Sequence, residues 1–330
     1  MFSKDIGIDL GTANVLIYVK GQGIVLNEPS VVAIDNETKK VLAVGEYARE
    51  MLGRTPGDIL AIRPMKDGVI ADFEVTELML NEFIKKINGK KMFSKPRILI
   101  CCPSNITQVE KNAIKDAAER TGARKVYIEE EPKVAAIGAG MDISKPGGNM
   151  VIDIGGGTTD IAVLSLGGIV TSESIKIAGN VFDQDIIKYI KDKYKLLIGD
   201  RTAEDIKINI GTVYNENKKN EKMQVRGRDL VTGLPHMITI SSKEIEEALR
   251  ESIYIIIQKT KSVLEQTPPE LSSDIINKGI IITGGGALID GFDKLLSAEL
   301  NVPVYVAESP LTCVAEGTGI LLDHIDLLEK

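Results

Sequence analysis

Residues 151–164 read VIDIGGGTTDIAVL, two apolar runs split by a glycine triplet, with Asp153 inside the first run and Asp160 at the edge of the second. A carboxylate inside what reads as a buried strand, directly before three residues without side chains, needs a chemical reason. The stretch DIGIDLGTANVLIYVKGQG at 5–23 has the same design: an apolar run carrying Asp9, a tight turn of Gly11, Thr12 and Ala13, then a second apolar run rich in β-branched residues. Strand, glycine turn and antiparallel strand together form a hairpin signature. Its two occurrences, with Asp9 and Asp153 144 positions apart, predict two similar domains facing one another.

A turn of Gly, Thr and Ala leaves backbone N–H groups open to an anion. Two such turns in opposition are suited to clamping a chain of phosphates. A carboxylate beside phosphate repels it unless a divalent cation lies between, so Asp9 and Asp153 are expected to hold Mg²⁺, mainly through its waters. A third glycine run, GIIITGGGALIDGF at 279–292, follows an Ile-rich strand and leads into a helix-like start. No Lys-Ser/Thr follows it, and it does not open a first βαβ unit, so neither the Walker loop nor the dinucleotide fingerprint applies.

Between the hairpins, VTELMLNEFIKKIN at 75–88 and QVEKNAIKDAAERTGA at 108–123 carry apolar residues at helical spacing. Thr107 is the expected N-cap of the second, with Glu110 completing a capping box. The strand-like RILICCP precedes it, and alternating strand and helix signals predict an α/β architecture. Residues 31–73 and 181–239 look like insertions. The polar run NENKKNEK at 215–222 is expected to be a solvated hairpin tip.

At 330 residues the chain exceeds one hydrophobic core, so several subdomains are expected. The net charge of -7 argues against nucleic acid as a partner. Cys101 and Cys102 are adjacent in an apolar run and there are three cysteines in all, which reads as core in a reducing compartment, not a disulfide framework. No apolar run approaches the ~18 residues of a membrane span and no signal-peptide layout opens the chain, so a cytoplasmic location is expected. His236 and His324 stand apart, which argues against a histidine metal site or triad.

In order, DLGTANV, IEEEPKVAAIGAG, DIGGGTTDIAV, RTAEDIKI, TGGGALIDG and VAEGTGILL resemble the nucleotide-site motifs of the actin, Hsp70 and sugar-kinase superfamily. The chain is most similar to the MreB-type bacterial actins, including the Mbl branch, essentially from Met1 to Leu328. The resemblance implies an actin-like α/β fold of two facing ribonuclease-H-like domains, each with a small inserted subdomain. Its implied parts are subdomain IA at 1–30, 74–144 and 315–330, IB at 31–73, IIA at 145–180 and 240–314, and IIB at 181–239.

Carried over by position, Gly11, Thr12, Ala13 and Asn14 form one phosphate loop, and Gly155, Gly156, Gly157 and Thr158 the other. Gly284, Gly285, Gly286 and Ala287 lie along the adenosine, and Glu204 and Lys207 hold ribose and adenine. ATP or ADP with Mg²⁺ is the implied ligand, and Glu131 the acid that positions the attacking water, with Thr158 its partner across the cleft. Residue types alone do not choose Glu131 over Glu129 or Glu130. Where the family carries Gly-Asp this chain has Gly179-Asn180, which alters charge near the site.

The loop INGKKMFSKPR at 87–97 sets Met92 and Phe93 among four cations, a layout suited to an anionic membrane surface. The resemblance matches this loop to the family's membrane insertion loop. It implies a slow ATPase that forms double filaments at the inner face of the cell membrane, with membrane-bound cell-shape and wall-synthesis proteins as partners and rod shape as the outcome. In a wall-less cell the same filament would serve shape or motility. A chaperone of the Hsp70 type would need a further substrate domain after VAEGTGILL. A sugar or acetate kinase would transfer phosphate to a metabolite and needs larger insertions and a base for the substrate hydroxyl.

Overall fold

The computed structural model describes residues 5–88, 95–214 and 220–325. Two five-stranded sheets organise it, and they share one topology. In the first, Ile6–Leu10, Asn14–Val19 and Gly23–Pro29 form an antiparallel meander, and Arg97–Cys102 then Lys125–Glu130 are added in parallel. In the second, Asn149–Ile154, Thr159–Ser165 and Gly168–Ile175 form the meander, and Ile280–Thr283 then Val304–Val306 are the parallel additions. This is the pair of similar α/β domains expected from the duplicated hairpins, and the actin-like arrangement that the resemblance implies, with each lobe built on its own apolar cluster. Ile6–Leu10 and Asn149–Ile154 are buried at every position, as befits strands covered on both faces. An acid in such a strand is costly, so Asp9 and Asp153 are exceptions that need a partner.

The helices follow from their periodicity and caps. Gln108–Arg120 has the expected capping box, with Thr107 Oγ1 accepting from the Glu110 N–H at 3.2 Å and Glu110 Oε2 from the Thr107 N–H at 2.6 Å. It ends before the apolar pattern does, because the chain turns at Gly122 with φ 92°. Phe73–Asn88 starts two residues before the pattern suggests, because Asp72 Oδ1 accepts the Val75 N–H at 3.0 Å. The third glycine run makes a single tight turn, Gly285–Leu288, and the helix proper starts at Phe292.

Two helices join the lobes. Glu131–Gly138 packs Val134, Ala135 and Ala136 with Val151, Ala162 and Leu164 of the second sheet. Cys313–Asp323 sends Leu322 against Leu99 and Tyr127 of the first. They meet backbone to backbone: a β-carbon on Gly138 would lie 1.8 Å from the Cys313 carbonyl oxygen, and one on Gly317 2.1 Å from that of Val134. Any side chain there would pry the joint apart.

Residues 31–73 hold the sheet of Val41–Val44, Val32–Asp35 and Ile59–Ile62, the helix Glu46–Met51, and the pair Met65–Lys66 and Val69–Ile70. Residues 181–239 include the sheet of Leu196–Leu197, Lys222–Asp229 and Pro235–Ser241. One expectation is corrected here. The hairpin tip is 230–234, where Asp229 Oδ1 accepts the N–H groups of Val231 and Thr232 at 2.8 and 2.7 Å and Gly233 takes φ 74°. The polar run at 215–222 leads into the hairpin instead; its Lys222 opens the first strand, and 215–219 lie outside the described residues. Asx-turn chemistry, not polarity, set the turn.

Candidate functional site: a phosphate cleft between two lobes

The turns that follow Asp9 and Asp153 face each other across a cavity of about 610 Å³. The first turn is braced by Ser30 Oγ, which donates to the Gly11 carbonyl at 2.6 Å. The second is braced by the start of the helix Gly179–Tyr194: the N–H groups of Gly179 and Asn180 donate to the carbonyls of Gly155 and Gly156 at 3.1 and 2.8 Å. Asn180 therefore performs its backbone role whatever its side chain, and the departure from Asp changes only the charge it brings to the cleft it lines. The turns touch: a β-carbon on Gly157 would come within 2.4 Å of Thr12 Oγ1.

Gly11, Thr12, Ala13, Asn14, Gly155, Gly156, Gly157, Thr158, Gly284, Gly285 and Gly286 all line the cavity, with Asp9, Asp153, Glu131, Glu204 and Lys207. Ala287 does not line it; it is buried behind the third glycine turn, at 2% exposure. Met92 and Phe93 lie outside the described residues. Glu129 and Glu130, which residue type alone leaves as rivals of Glu131, are engaged by lysines, Glu129 with Lys133 at 2.9 Å and Glu130 with Lys111 at 3.8 Å. Glu131, the first residue of its helix, is the one of the three in the cleft.

The acids are strongly perturbed. Burial, then the charge of Asp153, pushes Asp9 up to about 7. Asp153 rises to about 6, again through burial first, although Thr283 Oγ1 donates to its Oδ1 at 2.6 Å and pulls the other way. Glu131 is raised well above the usual carboxylate range by burial and by Asp160, Asp153 and Asp9. Such a group suits the holding of a proton or a water.

Fit to a cation follows from this chemistry. Six acids (Asp9, Glu131, Asp153, Asp183, Asp200, Glu204) line the cavity against three bases (Arg49, Arg63, Lys207). A polyphosphate entering that excess of negative charge needs a counter-charge, and the raised acids mark where one is missing. Among the described residues no three His, Cys, Asp or Glu side chains converge as direct ligands. A cation beside Asp9 and Asp153 would therefore keep water and phosphate as its main ligands, as the hard, slowly dehydrating Mg²⁺ does.

Three features escape the sequence. Glu204 and Lys207 do not pair with each other; Glu204 takes Arg49 at 2.9 Å, and Lys207 takes Asp183 Oδ1 at 2.8 Å and the Gly179 carbonyl at 2.9 Å. Asp183 is pushed up to about 6 by burial, against the pull of Lys207. Asp160, at 1% exposure, sits in register with Asp153, accepts the Ser104 N–H at 3.2 Å through Oδ1, and among the described residues has no close hydrogen-bond partner at Oδ2. Its signal was present, an acid at a buried strand position opposite another acid.

Two lobes of one topology, closed by facing glycine turns over a pair of buried acids, define an actin-like fold with its cleft between the lobes. The comparisons give the family. The MreB/Mbl protein family matches residues 3–330. The cell shape-determining protein Mbl of Bacillus subtilis is 68% identical over 330 residues, covering 100% of this chain and 99% of that one. The cell shape-determining protein MreB of Escherichia coli is 55% identical over 332 residues, covering 99% and 95%. The crystal structure of MreB5 of Spiroplasma citri bound to AMPPNP superimposes with a TM-score of 0.94 at 45% identity, covering 99% and 98%. The chain belongs to the MreB/Mbl family of actin-like, cell shape-determining cytoskeletal proteins.

Proposed function

We propose that this chain binds ATP with Mg²⁺ in the cleft, hydrolyses it slowly, and assembles with itself into double filaments on the inner face of the cell membrane. The carrying observation is the pair of facing glycine turns with Asp9 and Asp153 behind them and Glu131 lining the same cavity. The N–H groups of 11–14 and 156–158 hold the phosphates, with the Gly155 N–H spent on the Thr158 carbonyl at 2.9 Å, the 284–287 turn runs along the adenosine, and Glu204 accepts from the ribose. Lys207, held by Asp183 and the Gly179 carbonyl, supports that wall. Glu131 orients the attacking water and takes up its proton, and Thr158 holds the water from the opposite lobe. Phosphoryl transfer asks little covalent work of the protein, so position and charge suffice. Bound Mg²⁺ supplies charge neutralisation of the phosphates, with Asp9 and Asp153 holding its waters. Nucleotides in the S. citri MreB5 crystals, AMPPNP and ADP, support the ligand class.

The division into IA, IB, IIA and IIB at the stated boundaries belongs to the same reading, as does the loop at Met92 and Phe93 as the membrane contact. Avidity along a filament makes a loop of marginal affinity sufficient, and membrane-bound wall-elongation proteins are then the partners that such a filament organises. Among the described residues no helix is long and apolar enough to cross a membrane. Electron microscopy on an anionic lipid monolayer, with and without ATP and Mg²⁺, tests the reading: nucleotide-dependent paired filaments are expected, abolished on lipid by Phe93→Ser. No filaments at any concentration, with phosphate passed to a small molecule instead, would overturn it in favour of a metabolite kinase.

A further inference from the structure

Arg49 and Glu204 stand 155 positions apart on elements of different insertions, and their side chains meet across the cleft: Arg49 Nη2 lies 2.9 Å from Glu204 Oε2. Arg49 projects from the helix Glu46–Met51, whose Ala48 and Met51 pack on the small sheet with Val31, Ala33 and Ala43. Glu204 projects from Asp200–Ile210, seated by Ala203, Ile206 and Ile210 in the second lobe's core. Both anchors are therefore fixed by packing. Glu46 Oε2, at 3.5 Å from Arg49 Nη1, steadies the guanidinium from its own helix. Both side chains line the cavity and keep only 27% and 28% exposure. Thr12 and Gly157 already touch at the glycine turns, so the cavity is bounded by lobe-to-lobe contact at two places.

We propose that the Arg49–Glu204 ion pair is a clasp across the nucleotide cleft that sets how fast bound nucleotide leaves. The idea rests on the nucleotide reading of the cleft. Among the described residues only Oε2 of Glu204 is engaged, so the carboxylate keeps Oε1 for a ribose hydroxyl. A seated nucleotide fixes Glu204 where Arg49 finds it, and the closed pair obstructs the nucleotide's exit, so ligand and closure reinforce each other. The pair contributes to release and not to chemistry, because the reading places Glu204 at the ribose and leaves the phosphates to the glycine turns. Its strength is that of a half-screened, well-aligned Arg–carboxylate contact, weakened by salt.

Stopped-flow release of fluorescent ADP from the full chain with Mg²⁺, below the concentration of assembly, is the test. Arg49→Ala is expected to speed release about three- to fivefold with the association rate unchanged, the factor a partly exposed pair supplies. Arg49→Lys should fall between, and Arg49→Glu should exceed Ala. In the parent alone, raising salt from about 0.05 to about 0.5 M should speed release, and in Arg49→Ala it should not. A merely structural role would instead lower the unfolding midpoint and leave release unchanged. Equal release by parent and Arg49→Ala, or salt-insensitive release by the parent, overturns the clasp alone; failure of the parent to bind nucleotide overturns the nucleotide reading and the clasp with it.

Discussion

Asp9 and Asp153 occupy the same place on the same hairpin in two sheets of one topology, yet their neighbours differ. Beside Asp153 the parallel strand carries Thr283, whose hydroxyl donates to it at 2.6 Å. In the first lobe Ile8 pairs with Ile100, and the next step of that register sets Cys101 beside Asp9. A thiol is a poor donor, and Asp9 rises to about 7 where Asp153 stops at about 6. In the proposed reading the lobes also divide the chemistry: the first supplies Glu131 from the end of its last parallel strand, and the second supplies Thr158 and the third glycine turn. Duplication gives a symmetric clamp, and single residues at matching positions give each half its own task.

The division of chemistry is broken most directly at Glu131. Glu131→Gln keeps the shape and removes the base, so phosphate release should fall at least about a hundredfold, the low end for a general base, with nucleotide affinity little changed. Thr158→Ala on the other lobe removes one hydrogen bond of roughly 1–1.5 kcal/mol, so about tenfold is expected. Equal losses from the two variants would mean that the lobes share the step more evenly than this assignment allows.

The acids themselves come next. Both have folded values above the unfolded 3.8, so their contribution to stability is fully present below about 4 and is lost as pH rises through about 6 for Asp153 and about 7 for Asp9. The Mg²⁺-free, nucleotide-free protein should therefore lose stability between about pH 4 and about pH 7, and Mg²⁺-nucleotide should restore it. Asp9→Asn should stabilise the ligand-free protein at pH 8 by a few kcal/mol, and Asp153→Asn by less. Denaturant midpoints across this range measure both. A flat profile in the parent would remove the case for a missing cation.

Most of this scaffold was legible in the chain. The duplicated hairpins, the two helices between them and the Thr107 capping box are local patterns, and local patterns survive translation into structure. The glycine turns were legible because a turn facing phosphate restricts residue type. What was not legible depends on contacts between distant positions. Arg49 meets Glu204 across 155 positions, and Lys207 turns to Asp183 rather than to the Glu204 one helical turn away. The tip at 230–234 was missed because its apolar Leu230, Val231 and Leu234 look like strand, and the polar run upstream looked more like a turn than the Asx turn did.

The smallest effect tests whether one neighbour explains the difference between the two acids. Thr283→Val removes the hydroxyl that donates to Asp153 Oδ1 and should raise that carboxyl's titration toward that of Asp9, at a cost of about 1.5 kcal/mol above pH 7. Cys101→Ser is the complementary change: it brings a hydroxyl to the matching place in the first lobe at nearly constant volume. Asp9 should then titrate lower, and the pH at which the ligand-free protein loses stability should move toward acid by a few tenths of a unit. Carbon-detected NMR of the carboxyl groups reads each site directly. If Cys101→Ser leaves Asp9 where it was, the neighbouring residue is not the cause. The difference would then lie in burial, the larger influence on both acids, and in the charges of the neighbouring carboxylates.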